Sequence, residues 1–382
     1  MPSQGTPGQP SVAAWGGCAN PCPPRKTLQQ LLDSMRAMRL TTGALLFLTI
    51  ASACSRGKEV TFRGHPTANK RDSSWSEPTD CPPSFFYADD IEAKVRESLE
   101  QAFAAAIAEW GNYGPIEYWV VGRDVPSAER LATRYCQRRS NLDNESLEDC
   151  KKWGDQRSKW SEWAERAAEI ERTGQPFLDA GHNGGAQWGL HIFYSSYPPG
   201  WAGIAGVSIE DDQTVLFHEY FHAIQVAHVL SLDDHDQLMG PVWWIEGGAE
   251  FMAQAACAKL RSSGSLPRDS RNLGLERNLK KEMQSKLQRG LAALAERPDL
   301  GIADVKYGPD AQIAYDLGCW AVAYLCNKAG PHALLEEFYP NLDRMGWEGA
   351  FRQTFNMTSD EFHVEFDQFL ALPFEKQMEI LP

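Results

Sequence analysis

The sequence predicts an α+β fold, with a small mixed sheet in the first half of the chain and a helical C-terminal lobe. Three short runs rich in β-branched and aromatic residues, at 115–121, 188–194 and 204–209, are strand candidates. Apolar residues recur at helical spacing around them, most clearly at 89–110 and 213–230. The second half of the chain then shows helical periodicity alone.

Length and charge limit the classes of protein to which the chain can belong. Its 382 residues suffice for two domains, or for one large domain with extensions. A balance of 51 acidic to 37 basic residues gives a net charge of −14. That charge argues against a nucleic-acid binder, because such proteins need a positive surface. No apolar run reaches the roughly 18–20 residues that a membrane-spanning helix requires.

The N-terminal 53 residues have the pattern of a leader followed by a signal peptide. A basic stretch at 35–39 precedes an apolar run at 40–51 and a small-residue ending before Cys54. We therefore expect an exported protein, either periplasmic, anchored at the cell surface or secreted. Cys54 resembles a bacterial lipid-attachment site, but Ala51 stands where that pattern usually has Leu. Lipid anchoring and free secretion both remain open.

The mature chain divides by composition into a linker and three further regions. The predicted boundaries are 54–84 for the linker, 85–185 for an N-terminal part with a helical insertion at 126–174, 186–300 for the core, and 301–382 for the helical lobe.

Six cysteines remain after the leader and Cys54 are set aside, and an even number in an exported chain indicates disulfides. Cys136 and Cys150 flank a polar stretch and are the first pair to expect. Cys319 and Cys326 lie two helical turns apart, about 10 Å by helical rise, which is too far for a disulfide within one helix.

The motif that carries chemistry is H-E-x-x-H, formed by His218, Glu219 and His222 on a predicted helix. Residues four apart share a helix face, so the two imidazoles can bind one ion, and imidazole nitrogen is a good zinc ligand. Glu219 lies next to the first histidine, where it can act as a general base on a water molecule. A catalytic zinc needs a third protein ligand and one open position.

The next predicted helix supplies that third ligand in the sequence E-G-G-A-E. Glu246 follows His222 by 24 residues and is the candidate ligand, so the predicted Zn²⁺ set is His218, His222 and Glu246. Glu250, one turn further on, can accept a hydrogen bond from a ligand histidine. Two glycines within a helix each cost roughly 1 kcal/mol relative to alanine, and this cost indicates a close approach by another helix or by a substrate.

These motifs resemble the gluzincin metallopeptidases, and in particular the thermolysin-like catalytic domain of the aminopeptidase and leukotriene-hydrolase family. That family's W-x-x-E-G-x-A pattern is matched by Trp243, Glu246, Gly247 and Ala249. The family's Tyr-x-x-Gly segment is matched downstream at 315–318. The likeness covers about residues 185–330 and does not include the G-x-M-E-N motif, which binds a free amine.

The resemblance implies a zincin catalytic domain that hydrolyses peptide bonds in a peptide or protein substrate. It assigns Tyr315 the role of donating a hydrogen bond to the tetrahedral intermediate. It also implies an edge strand just before the zinc helix that pairs with extended substrate, for which 204–209 is the candidate. Two other readings stay open: an inactive zincin scaffold that binds a partner at a cell surface, and a metal-dependent hydrolase of a non-peptide substrate.

The remaining histidines near the motif are expected to have lesser roles. His182 lies in a flexible glycine-rich loop, where it could contact substrate but is expected first as a turn residue, and His191 is predicted to be a structural residue of a strand. His228 is predicted to be turned away from the metal-facing side of the helix and His235 to lie in the acidic loop beyond it, both at the surface.

Overall fold

A computed structural model describes residue 78 and the ranges 82–143, 146–148, 150, 160–185, 189–199, 208–230, 235–268 and 278–382. The leader, the signal peptide, Cys54, Cys81 and most of the expected linker lie outside these residues.

The described chain is an α+β protein, as the sequence predicts. Four strands form a mixed sheet in the order β1-β2-β4-β3. Strand β2 pairs in parallel with both β1 and β4, and β3 pairs antiparallel with β4 as an edge strand. The strands are β1 (Ser84–Tyr87), β2 (Ile116–Val121), β3 (Phe177–Gly185) and β4 (Gly189–Tyr197).

Helices make up most of the remainder. In chain order they are α1 (Ala93–Trp110), α2 (Val125–Asp143), α3 (Trp160–Ala168), α4 (Ile170–Thr173), α5 (Ile209–Ala227), α6 (His235–Met239), α7 (Val242–Ser262), α8 (Leu279–Glu296), α9 (Ala311–Ile313), α10 (Cys319–Ala329), α11 (Tyr339–Phe355), α12 (Ser359–Leu370) and α13 (Phe374–Met378). A 3₁₀ turn (Ile302–Asp304) and two π-helical segments (Ala314–Gly318 and Ala333–Phe338) complete them. Among the described helices, none is both long and apolar enough to cross a membrane.

One loop prediction is wrong, and the predicted end of one strand is also wrong. Residues 180–185 are expected in a loop, but they belong to β3, where His182 pairs in register with Ile192. The candidate strand 204–209 ends inside α5, because Ser208 is the helix N-cap and its side chain accepts a hydrogen bond from the Asp211 N–H. Acidic residues in the first turn also favour the helix there through its dipole. Residues 204–207 lie outside the described ranges.

The sheet separates two hydrophobic clusters, because successive side chains of a strand point to opposite faces. Tyr118 and Val120 of β2 face the main core, which includes α1, α5, α7 and the C-terminal helices. Trp119 and Val121 face a smaller aromatic cluster covered by α2 and α3. The predicted helical insertion therefore supplies the layer on the far side of the sheet from the motif helix.

The structure tests the predictions about the disulfides and about the helix cap at Thr358. Cys136 and Cys150 form a disulfide, as predicted. The expectation of further disulfides fails for Cys257, Cys319 and Cys326, which are reduced and buried in the main core, where a thiol packs as a small apolar group. The capping box of Thr358 and Glu361 at the start of α12 is confirmed.

Candidate metal centre

The two motif histidines lie side by side on α5. His218 and His222 are both buried, and their Nε2 atoms are 3.0 Å apart. This arrangement follows from their spacing, since residues four apart on an α-helix lie one above the other on the same face. The two nitrogens therefore point to the same place.

Glu246 approaches this place from α7. Its Oε2 lies 3.3 Å from the His218 Nε2 and 3.4 Å from the His222 Nε2. Three atoms bound to one tetrahedral zinc at about 2.0–2.1 Å are separated by about 3.3 Å. Glu246 Oε2 is also buried without a hydrogen-bond partner among the described residues. An unpaired buried carboxylate oxygen beside two imidazole nitrogens fits a divalent cation.

The outer polar atom of each of these three side chains is held by another residue. His218 Nδ1 lies 3.0 Å from Glu250 Oε2, and His222 Nδ1 lies 2.7 Å from Gln225 Oε1. The Tyr307 hydroxyl donates to Glu246 Oε1 at 2.6 Å. Such contacts orient metal ligands in proteins, and here they leave Nε2, Nε2 and Oε2 facing one point.

Electrostatics at the centre also favour a cation. Burial by itself raises the pKa of Glu246, but the neighbouring His222 and His218 hold it well below its usual value. Burial would lower the pKa of His218, whereas its contacts with Glu246 and Glu250 raise it to about 10. In the metal-free protein a proton on His218 thus balances the carboxylates, and metal binding would displace that proton.

A buried network of charged groups supports Glu250. Lys286 of α8 is buried, and its Nζ lies 2.8 Å from Glu250 Oε1 and 3.7 Å from Asp316 Oδ1. Arg289 pairs with both carboxylate oxygens of Asp316. The network joins α8, α7 and the π segment that carries Tyr315, so it fixes three elements around the centre.

Tyr315 is brought to the centre by the π-helical segment Ala314–Gly318. Its ring stacks on the His218 imidazole at a centroid distance of 5.8 Å. Burial, followed by the nearby Glu246 carboxylate, raises the pKa of Tyr315, so the hydroxyl remains protonated and can donate. Helix α7 comes this close because Gly247 lies against the Gly318 backbone. A Cβ on Gly247 would be 2.2 Å from the Gly318 carbonyl carbon.

Glu219 lies beside the three-residue set and has a partner of its own. Its Oε2 is 3.2 Å from Nδ1 of His182, on the edge strand β3. Burial alone would raise the pKa of Glu219, but the hydrogen bond to His182 and the neighbouring His222 and His218 lower it. The carboxylate is therefore ionised and able to accept a proton.

His182 and His228 differ from their predicted positions. His182 is a strand residue at the site instead of a turn residue, because β3 extends through the glycine-rich run. His228 is buried and not at the surface; its Nδ1 contacts the Ile224 carbonyl oxygen, away from the metal-facing side. His191 is buried in β4, as predicted.

Comparisons of this chain with protein-family models, with curated proteins and with solved structures find no match. The likeness to gluzincins therefore rests on the motif residues of the sequence alone.

Sequence reasoning missed Gln225, Tyr307 and Lys286, which lie at the centre, and it favoured a turn over a site position for His182. Gln225 follows His222 by three residues and shares its helix face, so helical spacing alone points to it. Tyr307, Lys286 and His182 come from elements distant in sequence, and no spacing rule places them here. His182 also forms, with Glu219 and His222, a second group whose atoms are close enough to hold an ion.

Proposed function

We propose that the protein is a zinc-dependent peptidase with a zincin-type catalytic centre. The observation that carries the proposal is the ligand arrangement: His218 Nε2, His222 Nε2 and Glu246 Oε2 lie 3.0–3.4 Å from one another. Their outer atoms are each held by a separate residue. His182, Glu219 and His222 are less suited to be the resident set, because His182 already uses Nδ1 to hold Glu219.

A bound zinc would acidify the attacking water and polarise the scissile carbonyl. The protein side chains do the remaining work. Glu219 takes the proton of the water as its oxygen attacks the carbonyl carbon, and later passes this proton to the amine nitrogen as the C–N bond breaks. The Tyr315 hydroxyl donates to the oxygen on which negative charge develops.

Substrate would lie along β3, the edge strand beside α5. An edge strand has unpaired backbone N–H and C=O groups that an extended peptide can pair with. The resemblance to gluzincins made residues 204–209 the candidate for this role. We assign it instead to β3, because β3 is an edge strand of the described sheet and contacts the motif helix. The Cys136–Cys150 disulfide supports export, since disulfides persist in oxidising compartments.

Metal analysis and peptide cleavage test the proposal together. We expect one zinc per chain in the wild type and in Glu219→Gln, and none in His222→Ala. Hydrolysis of a diverse peptide mixture should fall by about 10²–10⁴-fold in Glu219→Gln, because a positioned general base contributes that much.

His332→Ala, at an exposed position, is the matched control and should retain both zinc and activity. A protein that binds zinc but leaves all peptides intact would contradict peptidase activity and favour the binding-scaffold or non-peptide alternatives. Zinc retained in Glu246→Gln but lost in His182→Ala would instead assign the ion to the second group.

A further inference from the structure

His182 projects from the edge strand toward the acidic residue of the motif. Its backbone is fixed by pairing with Ile192 in the interior of the β3–β4 ladder. Its side chain is 26% exposed, and its ring centroid lies 4.5 Å from that of His222. The imidazole is therefore held by the sheet, while the carboxylate that it contacts is held by α5.

Glu219 depends on this contact for its orientation. Within the described residues, the bond from His182 is the one hydrogen bond that the Glu219 carboxylate makes. The carboxylate is otherwise buried beside His218 and His222, whose polar atoms have other partners. A glutamate side chain has three rotatable bonds, and a general base is efficient only when it is within hydrogen-bond reach of the proton that it removes.

The two nitrogens of His182 face different environments. Nδ1 is directed at Glu219, whereas no hydrogen bond joins Nε2 to another described residue. A neutral imidazole protonated at Nδ1 donates to the carboxylate and leaves Nε2 as an acceptor. An acceptor on the strand side of the centre is suited to an N–H group of a bound peptide.

We propose that His182 is a positioning residue for Glu219: its Nδ1–H holds the carboxylate of the general base toward the substrate side of the centre. This inference rests on the proposed peptidase function. It assigns to the edge strand a part in orienting the base, in addition to its backbone pairing with substrate.

Two amide substitutions separate the roles of the ring nitrogens. The side-chain N–H of His182→Asn reaches about as far as Nδ1, and that of His182→Gln about as far as Nε2. We expect His182→Ala and His182→Gln to lower kcat by about 10–100-fold, the usual effect of losing a hydrogen bond that orients a reactive group, with KM changed less than about threefold. His182→Asn should recover most of kcat, and all three variants should keep one zinc per chain.

A second measurement needs no activity. In protein labelled with ¹⁵N-histidine, without metal, long-range proton–nitrogen correlations report which nitrogen of His182 carries the proton. The resonances are assigned by their loss in His182→Asn. We expect a proton on Nδ1 in the wild type and the Nε2–H tautomer in Glu219→Ala, where the acceptor is gone.

Three results would overturn the inference: a wild-type His182 with Nδ1 unprotonated, equal cleavage by the Asn, Gln and Ala variants, or loss of zinc in His182→Ala. Failure of the proposed function gives a different pattern, in which the wild type itself lacks zinc or leaves every peptide intact. That pattern would remove the kinetic role of His182, while the tautomer still shows whether the hydrogen bond forms.

Discussion

At the scale of single residues, the candidate ligands of the centre are oriented by contacts with neighbouring polar side chains. His218, His222 and Glu246 each have a second polar atom, and each of these atoms is already bonded. This pairing fixes the direction of each candidate ligand in the metal-free protein. It also predicts that residues outside the ligand set control metal affinity.

Gln225→Ala tests this expectation. Without Gln225, the His222 imidazole loses the contact that orients it, and we expect zinc affinity to fall by about 10–100-fold. Competition with a chromophoric chelator measures the affinity. Gln377→Ala is the matched control, because Gln377 is also a buried glutamine, but it bonds to α12 carbonyl groups far from the centre. Equal affinities for the two variants would contradict an orienting role.

Lys286 has a separate, electrostatic role that concerns stability. Replacing it by Met leaves the buried Glu250 carboxylate without its lysine partner, the cation that lies 2.8 Å from Oε1. Since breaking a buried ion pair costs several kcal/mol, we expect the free energy of unfolding to fall by about 3 kcal/mol. Urea unfolding of the metal-free protein measures this change.

The double variant Lys286→Met, Glu250→Gln completes a thermodynamic cycle. It should be more stable than Lys286→Met alone, because the unpaired charge is removed together with its partner. Additive losses in the cycle would show that the two side chains are not coupled.

At the scale of elements, the centre depends on how closely α7 and the π-helical segment approach each other. Gly247 and Gly318 meet at this contact, and a Cβ on either would lie within 2.4 Å of backbone atoms of the other element. The two glycines of E-G-G-A-E thus have distinct surroundings, since Gly248 faces the side chains of Gln225 and Tyr339. Close packing explains why glycine is tolerated in a helix interior.

Alanine at Gly247 must separate the two elements, because backbone cannot move aside as a flexible side chain does. We expect a loss of about 2–3 kcal/mol in unfolding free energy, the usual cost of overpacking, and displacement of Tyr315 from His218. Gly349→Ala is the control: it is helical, its nearest neighbour is the Met345 Cβ at 3.1 Å, and it should change stability by less than about 1 kcal/mol. Similar stabilities for the two variants would contradict the packing argument.

At the scale of the whole molecule, the candidate ligands connect separate parts of one core. His218 and His222 come from α5, Glu246 from α7, and the supporting Lys286 from α8, and all three helices pack in the main hydrophobic cluster. An ion bound here would therefore link α5 directly to α7, and α8 would be joined to them through the Lys286–Glu250 ion pair. Its removal should weaken the fold as a unit.

Chelation measures that link. A ligand that binds only the folded state, at a thousandfold excess over its Kd, stabilises that state by about 4 kcal/mol. We expect a chelator to lower the Tm of the wild type by several degrees and to leave His222→Ala unchanged, with re-added zinc restoring the wild-type Tm. A chelator effect of equal size in His222→Ala would place the stabilising ion elsewhere.

The sequence alone predicted the α+β class, the helices that carry the motif and the α12 cap, and it made Cys136–Cys150 the first disulfide to expect. These features depend on spacing within a few turns of chain, where periodicity and capping chemistry are local. The shared face of His218 and His222 is equally local, because it follows from helical spacing and from nothing else.

Only the tertiary structure decided which distant groups meet at that face. Residues 180–185 look like a loop because glycines dominate them, yet pairing with β4 makes them an edge strand and brings His182 to Glu219. Lys286 and Tyr307 reach the centre from α8 and from the segment before α9. Their positions follow from how the helices pack around a common core, and packing between remote segments leaves no periodic trace in the sequence.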